Sequence, residues 1–317
     1  MNKCMAILCA IILGFGTGGS EVWGCTVDGK DGIVEENNLK INVGDKMANS
    51  MTEELFNKII SDVEKIYAPI IAKFGKTLEI ERNWSDGTVN AYAQQIGNTW
   101  KVSMFGGLAR HDTITPDGFA LVICHEIGHH LGGAPKKKSF WSTTWASNEG
   151  QSDYWGSMKC LRKYMENDDN ADIISRETVP DLAKQKCEAN FADGKEQDLC
   201  KRNSLAGLSL GNLFRALKNL RTQLAFHTPD TAVVSKTDDN HPAPQCRLDT
   251  YFNGSICDVD QYTDVDNVNP AIGTCTSSSG HTSGIRPLCW YKPSNSLDSE
   301  TENENEAEGE SLPISSL

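Results

Sequence analysis

The stretch ICHEIGHHLGGAP, residues 123–135, places three histidines and a glutamate within six consecutive positions. On a helix, residues i and i+4 share a face, so His125 and His129 of an H-E-x-x-H pattern can point at one ion. Zinc accepts imidazole nitrogen, and a catalytic zinc takes three protein ligands and keeps a fourth position for water. Glu126, beside the first histidine, is placed to take a proton from that water. His130 lies about 100° round the helix from His129, so it is expected to face solvent or to back up the site. TPDG at 115–118 supplies the helix start, with Thr115 as cap and Pro116 in the first turn. Gly132 and Gly133 supply the stop.

Two histidines leave such an ion one ligand short. The completion H-E-x-x-H-x-x-G-x-x-H fails here, because Gly132 is in register but the last position is Pro135, which offers no ligand atom. The other completion takes a glutamate from a following helix. ASNEGQSDYW (146–155) supplies Glu149, with Asp153 one turn later on the same face. A second carboxylate that orients a ligand histidine is what such a site needs behind it. Glu149 is therefore the expected third ligand, with Asp153 as its support.

The likeness to a known family extends beyond these helices. VNAYAQQIGNTWKVSMFGGLAR (89–110), NEGQSD (148–153) and HPAPQCR (241–247) accompany the histidine motif. With them the chain resembles the gluzincin zinc metalloproteases, nearest to the group of HtpX, the CAAX prenyl proteases and the BepA-type peptidases. The likeness covers residues 88–160 and 241–252, with Ser152 where the family's glutamate–x–x–Ala–Asp motif has alanine. It implies an α+β, zincin-like metalloprotease domain that binds Zn2+ and hydrolyses protein or peptide substrates. Glu126 would act as the base, and substrate would lie extended along NTWKVSMF (98–105). The family's H-P-x-x-x-x-R element falls on His241 and Arg247. It implies that His241 donates to the oxyanion, or sits on the metal as a latch. Arg247 would bind the oxyanion, the substrate backbone or an active-site carboxylate. The competing reading is a zinc-stabilised, disulfide-rich binding or envelope-assembly protein with little or no turnover, which would have no use for Glu126.

The remaining chain bounds these readings. Its formal net charge of −13 includes seven acidic residues between Asp298 and Glu310, which leaves the rest only mildly acidic. Lys136–Lys138 is too short a basic run for nucleic acid and reads as solvated loop. Lys3 and the apolar run CMAILCAIILGFG read as an export signal over 1–24, short of the about 20 residues that span a bilayer. VWGC, ending at Cys25, resembles a bacterial lipoprotein cleavage site. A lipid there would attach the protein to a membrane of the cell envelope; otherwise it would be periplasmic or secreted. Of the eleven cysteines, Cys4 and Cys9 lie in the signal. Eight others can pair either with Cys25 lipidated, or with Cys25 paired and Cys124 left as a buried thiol. The expected organisation is a metallopeptidase domain over 25–297, including a Cys-rich cap at 253–290, and a disordered acidic tail over 298–317.

Spacing of apolar residues predicts a helix over 50–75 with a Ser50–Glu53 capping box, and strands over 77–84, 88–95 and 98–105. Further helices are expected over 148–165, 205–226 and 244–252, with a loop-rich stretch between 166 and 202.

Overall fold

In a computed structural model, residues 22–23, 32–46, 48–138 and 143–293 are described. Cys25, the acidic tail and all of the export signal except Val22–Trp23 lie outside the described residues. The architecture is α+β, with helices packed against a small mixed sheet.

A two-residue strand β1 (Val22–Trp23) precedes helix α1 (Glu53–Ala72). The cap of α1 is Thr52, whose hydroxyl accepts from Leu55 N at 3.2 Å, rather than Ser50. The neighbouring Asn49 is otherwise engaged, donating to the carbonyls of Ala109, His111 and Ile114. Helix α1 runs on through Pro69 and buries Phe56, Ile59, Ile60, Val63, Tyr67 and Ile71, one face at helical spacing.

Strands β2 (Thr77–Asn83), β3 (Ala91–Ile96) and β4 (Thr99–Phe105) follow. β3 and β4 form a tight hairpin whose turn opens on Gly97 at φ +58°, a conformation glycine adopts without strain. β4 then pairs in parallel with β2, giving the order β1-β3-β4-β2. Both edges of β4 are occupied, so the expectation of substrate pairing along residues 98–105 is overturned. The other side of β3 is also covered, since Val22 and Trp23 pair with Gln95 and Gln94, and Ile33 N donates to Ala91 O.

A short turn of helix, α2 (Gly106–Ala109), leads to α3 (Pro116–Leu131), which starts with Thr115 and Pro116 as expected. Every residue of α3 from Gly118 to His130 is buried, so this is a central helix packed on all sides. Its neighbours include α1, the helix α4 (Glu149–Trp155) and the π-helical turn Gly156–Leu161 that prolongs α4. Between α3 and α4 lies the hairpin β5 (Lys136–Lys138) and β6 (Thr143–Ser147). The π-helical turn runs into α5 (Arg162–Met165).

The stretch 166–202 is more helical than expected. It contains α6 (Asn170–Ser175), α7 (Asp181–Asn190) and the start of α8 (Gly194–Leu217). Polar residues concealed these helices. Arg202 is buried because Asp117 and Asp168 pair with it at 2.7 Å, and Cys187–Cys200 ties α7 to α8. Helix α8 also ends earlier than residue 226, where Asn219 turns left-handed at φ +52°. Finally α9 (Pro244–Ile256) packs on α8 and α4.

Among the described residues, four disulfides close the structure: Cys124–Cys160, Cys187–Cys200, Cys246–Cys289 and Cys257–Cys275. Cys124 is thus paired with the turn after α4, not a buried thiol. Four bridges fit an exported protein or another oxidising compartment. Among the described residues, no helix is long and apolar enough to cross a membrane. The Cys-rich segment packs on α4 as a cap. Arg286 Nε donates to Gln151 Oε1 at 2.7 Å, Tyr154 donates to Gly284 O, and Trp290 lies flat against Gly150. A Cβ at position 150 would fall 2.2 Å from the Trp290 ring, so only glycine permits this approach.

Candidate metal centre

Helix α3 brings His125 and His129 to one face, and α4 crosses it closely enough to present Glu149. The close crossing depends on Gly128, where a Cβ would sit 3.0 Å from Ser152 O. Asn148 caps α4 by accepting from Gln151 N at 2.9 Å, which fixes Glu149 in the first turn. One side-chain ligand atom from each of His125, His129 and Glu149 falls within 4.8 Å of the others, and all three residues are fully buried. The converging oxygen is Glu149 Oε2, 3.3 Å from His125 Nε2 and 3.9 Å from His129 Nε2.

The opposite ring nitrogens show how the histidines are held. His125 Nδ1 donates to Asp153 Oδ1 at 2.7 Å, and His129 Nδ1 donates to Ser147 O at 2.8 Å. A carboxylate and a carbonyl only accept, so each Nδ1 carries the proton and each Nε2 lone pair faces the shared space. That is the tautomer a metal ligand requires. His125 Nε2 and both Glu126 oxygens are buried without a hydrogen-bond partner in the structure, an arrangement that costs free energy unless something else occupies the space. The residues therefore fit a metal ion. Two other groupings of potential ligands occur among the described residues, but both contain disulfide-bonded cysteines.

The charges packed into the centre act strongly on one another. Burial disfavours charge on His125, but Asp153 and Glu149 outweigh it and hold the imidazole up to about 9. Burial pushes Glu126 up to about 8, with Glu149 reinforcing this and His125 opposing it. Burial brings His129 down to about 3. For Glu149 burial acts upward, yet His241 and Lys137 keep the carboxyl well below its usual range.

Asp153 sits where expected, behind His125. Arg247 Nε and Nη2 grip its two oxygens at 2.7 and 2.8 Å, and Tyr251 donates to Oδ1. Of the roles open to Arg247, the structure gives the carboxylate partner. Its guanidinium is buried, covers the Phe214 ring at 3.8 Å and donates to Ile33 O at 2.6 Å. Arg247 is therefore a positioning residue, acting through Asp153 on His125. His241 stands closer to the centre. Its Nε2 lies 3.2 Å from Glu149 Oε2 and 2.8 Å from Gly32 O.

Four features departed from expectation or went unforeseen. His130 neither faces solvent nor touches the site: it is stacked between Trp100 and Trp145, with ring centroids at 5.0 and 4.7 Å. Lys137 is no solvated loop residue, since its ammonium lies 2.8 Å from Glu149 Oε1. That ion pair leaves Oε2 as the oxygen turned toward the histidines. Tyr251 could have been found from its place one turn after Arg247. The Ser147 carbonyl leaves no mark in a sequence.

No protein-family model, curated protein or solved structure matches this chain.

Proposed function

We propose that the protein is an exported zinc metalloendopeptidase with a zincin-like domain of gluzincin type. The observation that carries this reading is the convergence of His125, His129 and Glu149 with the unpartnered carboxylate of Glu126 beside them. A purely structural zinc site is closed by four ligands and has no need of an adjacent buried base. Two imidazoles and a carboxylate, each held by a partner behind it, suit zinc better than the harder cations that prefer all-oxygen sites. Zinc bound here would supply Lewis acidity toward a water and a substrate carbonyl.

The chain's own residues do the rest. Glu126 takes the proton of the attacking water and returns it to the leaving amine nitrogen, so no covalent acyl intermediate forms. Asp153 and Ser147 O keep both histidines in one tautomer, and Lys137 keeps Glu149 turned. His241, 3.2 Å from Glu149 Oε2, would donate to the developing oxyanion.

Metal titration is the direct test. The wild-type chain is expected to bind one zinc ion and Glu149→Ala to bind it far more weakly, read by competition with a chromogenic chelator. Full retention in that variant would place the third ligand elsewhere, and absence of cleavage across a peptide library would remove the peptidase. His241→Ala is expected to retain zinc and to lower kcat by about 10²–10³ with a modest change in KM. A rise in activity instead would make His241 a latch.

A further inference from the structure

The ion pair between Lys137 and Glu149 is held by ties on both of its elements. Lys137 sits in the middle of β5, where the Thr144 hydroxyl donates to Lys137 O at 3.0 Å. One residue on, Lys138 N donates to Asp239 Oδ2 at 3.0 Å. The other oxygen of Asp239 accepts from Asn148 Nδ2 at 3.1 Å. One carboxylate thus joins the residue after Lys137 to the residue before Glu149, and with it the hairpin to the cap of α4. Inside this clamp the Lys137 side chain, only 12% exposed, reaches Glu149 Oε1 at 2.8 Å, and the carboxylate itself is fully buried. Oε2 faces the other way, 3.3 Å from His125 Nε2 and 3.9 Å from His129 Nε2. The two oxygens of one carboxylate are therefore given to two different cations, an ammonium and whatever the histidines hold.

We propose that Lys137 restricts Glu149 to a single metal bond, and so selects zinc over divalent cations that demand more ligands, such as manganese. The proposal rests on the reading of this centre as a zinc site. A carboxylate can bind a metal through one oxygen or both, and hard cations of high coordination number use both readily. Zinc with three protein ligands and a water is satisfied by one. For Oε1 to turn onto the metal, Glu149 would have to break an ion pair in a buried site, where opposite charges attract far more strongly than in water. The clamp at Asp239 keeps the ammonium from following it. Lys137 is thus a positioning residue, acting on the metal through Glu149. Its charge also repels any dication, but that repulsion is common to zinc and manganese and cancels in the ratio of their affinities. The number of bonds from Glu149 does not cancel. Held to one, Glu149 leaves the remaining place to the water from which Glu126 takes its proton.

The experiment titrates wild type, Lys137→Met and Lys137→Arg with zinc and with manganese(II) against competing chelators. Each protein is also loaded with cobalt(II), whose visible spectrum reports its coordination number. Wild type should give the intense bands of a four-coordinate ion. Lys137→Met, which keeps the length and loses the charge, should give the several-fold weaker bands of a higher-coordinate ion. Its zinc-to-manganese affinity ratio should fall by about 10–100-fold, the range expected when the group behind a ligand is removed. Lys137→Arg keeps a cation on Oε1 and should retain the four-coordinate spectrum, which a lysine that served only the fold would not require. Asp239→Ala loosens the clamp while leaving the lysine and all three ligands; it should fall between the two, and it carries the test if Lys137→Met does not fold. A four-coordinate spectrum with an unchanged ratio in both Lys137→Met and Asp239→Ala overturns the proposal and leaves the zinc centre standing. So does a wild type whose cobalt is already higher-coordinate. A wild type that binds none of the three ions overturns both.

Discussion

Glu126→Gln is expected to keep one zinc ion per chain and to lose about 10²–10⁴ of its peptidase rate. The side chain is fully buried and its two oxygens have no hydrogen-bond partner, so nothing in the fold depends on its charge. Glutamine has the same shape and retains one acceptor, but it cannot take a proton from water. His125, His129 and Glu149 all remain, so metal affinity should hold. The pairing of measurements is what matters: metal content by elemental analysis beside kcat/KM on a cleaved peptide. Undiminished turnover would remove Glu126 from the mechanism, whereas loss of the metal would make it a ligand.

Asp153→Ala is expected to damage both stability and metal binding. Its carboxylate accepts from His125, Tyr251 and two nitrogens of Arg247, all buried. Truncation leaves the guanidinium of Arg247 buried without its counter-ion, which costs about 3–5 kcal/mol. It also releases the His125 ring, lowering zinc affinity by about 10–100-fold. Arg247→Lys separates the two effects, because charge stays while the two-pronged grip is lost. That variant should lower Tm less than Asp153→Ala and weaken zinc only modestly. An Asp153→Ala protein with unchanged Tm and unchanged zinc competition would reduce this cluster to ordinary packing.

The ligand geometry was legible in the sequence because it is local. His125 and His129 are fixed by helical period, and Glu149 and Asp153 by the same period on the next helix. The start of α3 was equally readable, since Thr115 and Pro116 act on their own neighbours. What escaped depends on residues far apart in the chain. Polar residues 194–202 looked like loop because the partners that bury them, such as Asp117 for Arg202, lie some eighty positions away. The order of strands was equally hidden, for nothing within NTWKVSMF announces that β2 will cover its second edge. His130 shows the same limit: helical geometry correctly turned it off the metal, but only the tertiary fold supplies two indoles to enclose it.

Gly150 has a consequence for how this chain can change over generations. Trp290 rests against the helix beside Glu149 because position 150 has no side chain, and Arg286 and Gly284 hold Gln151 and Tyr154, which follow it. The cysteine-rich segment is therefore not an interchangeable module. A foreign C-terminal segment with the same cysteine spacing would re-form its bridges and still leave Gly150 bare and Gln151 without its arginine. Any substitution at 150 would in turn evict Trp290, however sound the ligands. Two stretches well over a hundred residues apart are thus inherited as one heritable unit, able to vary only in step.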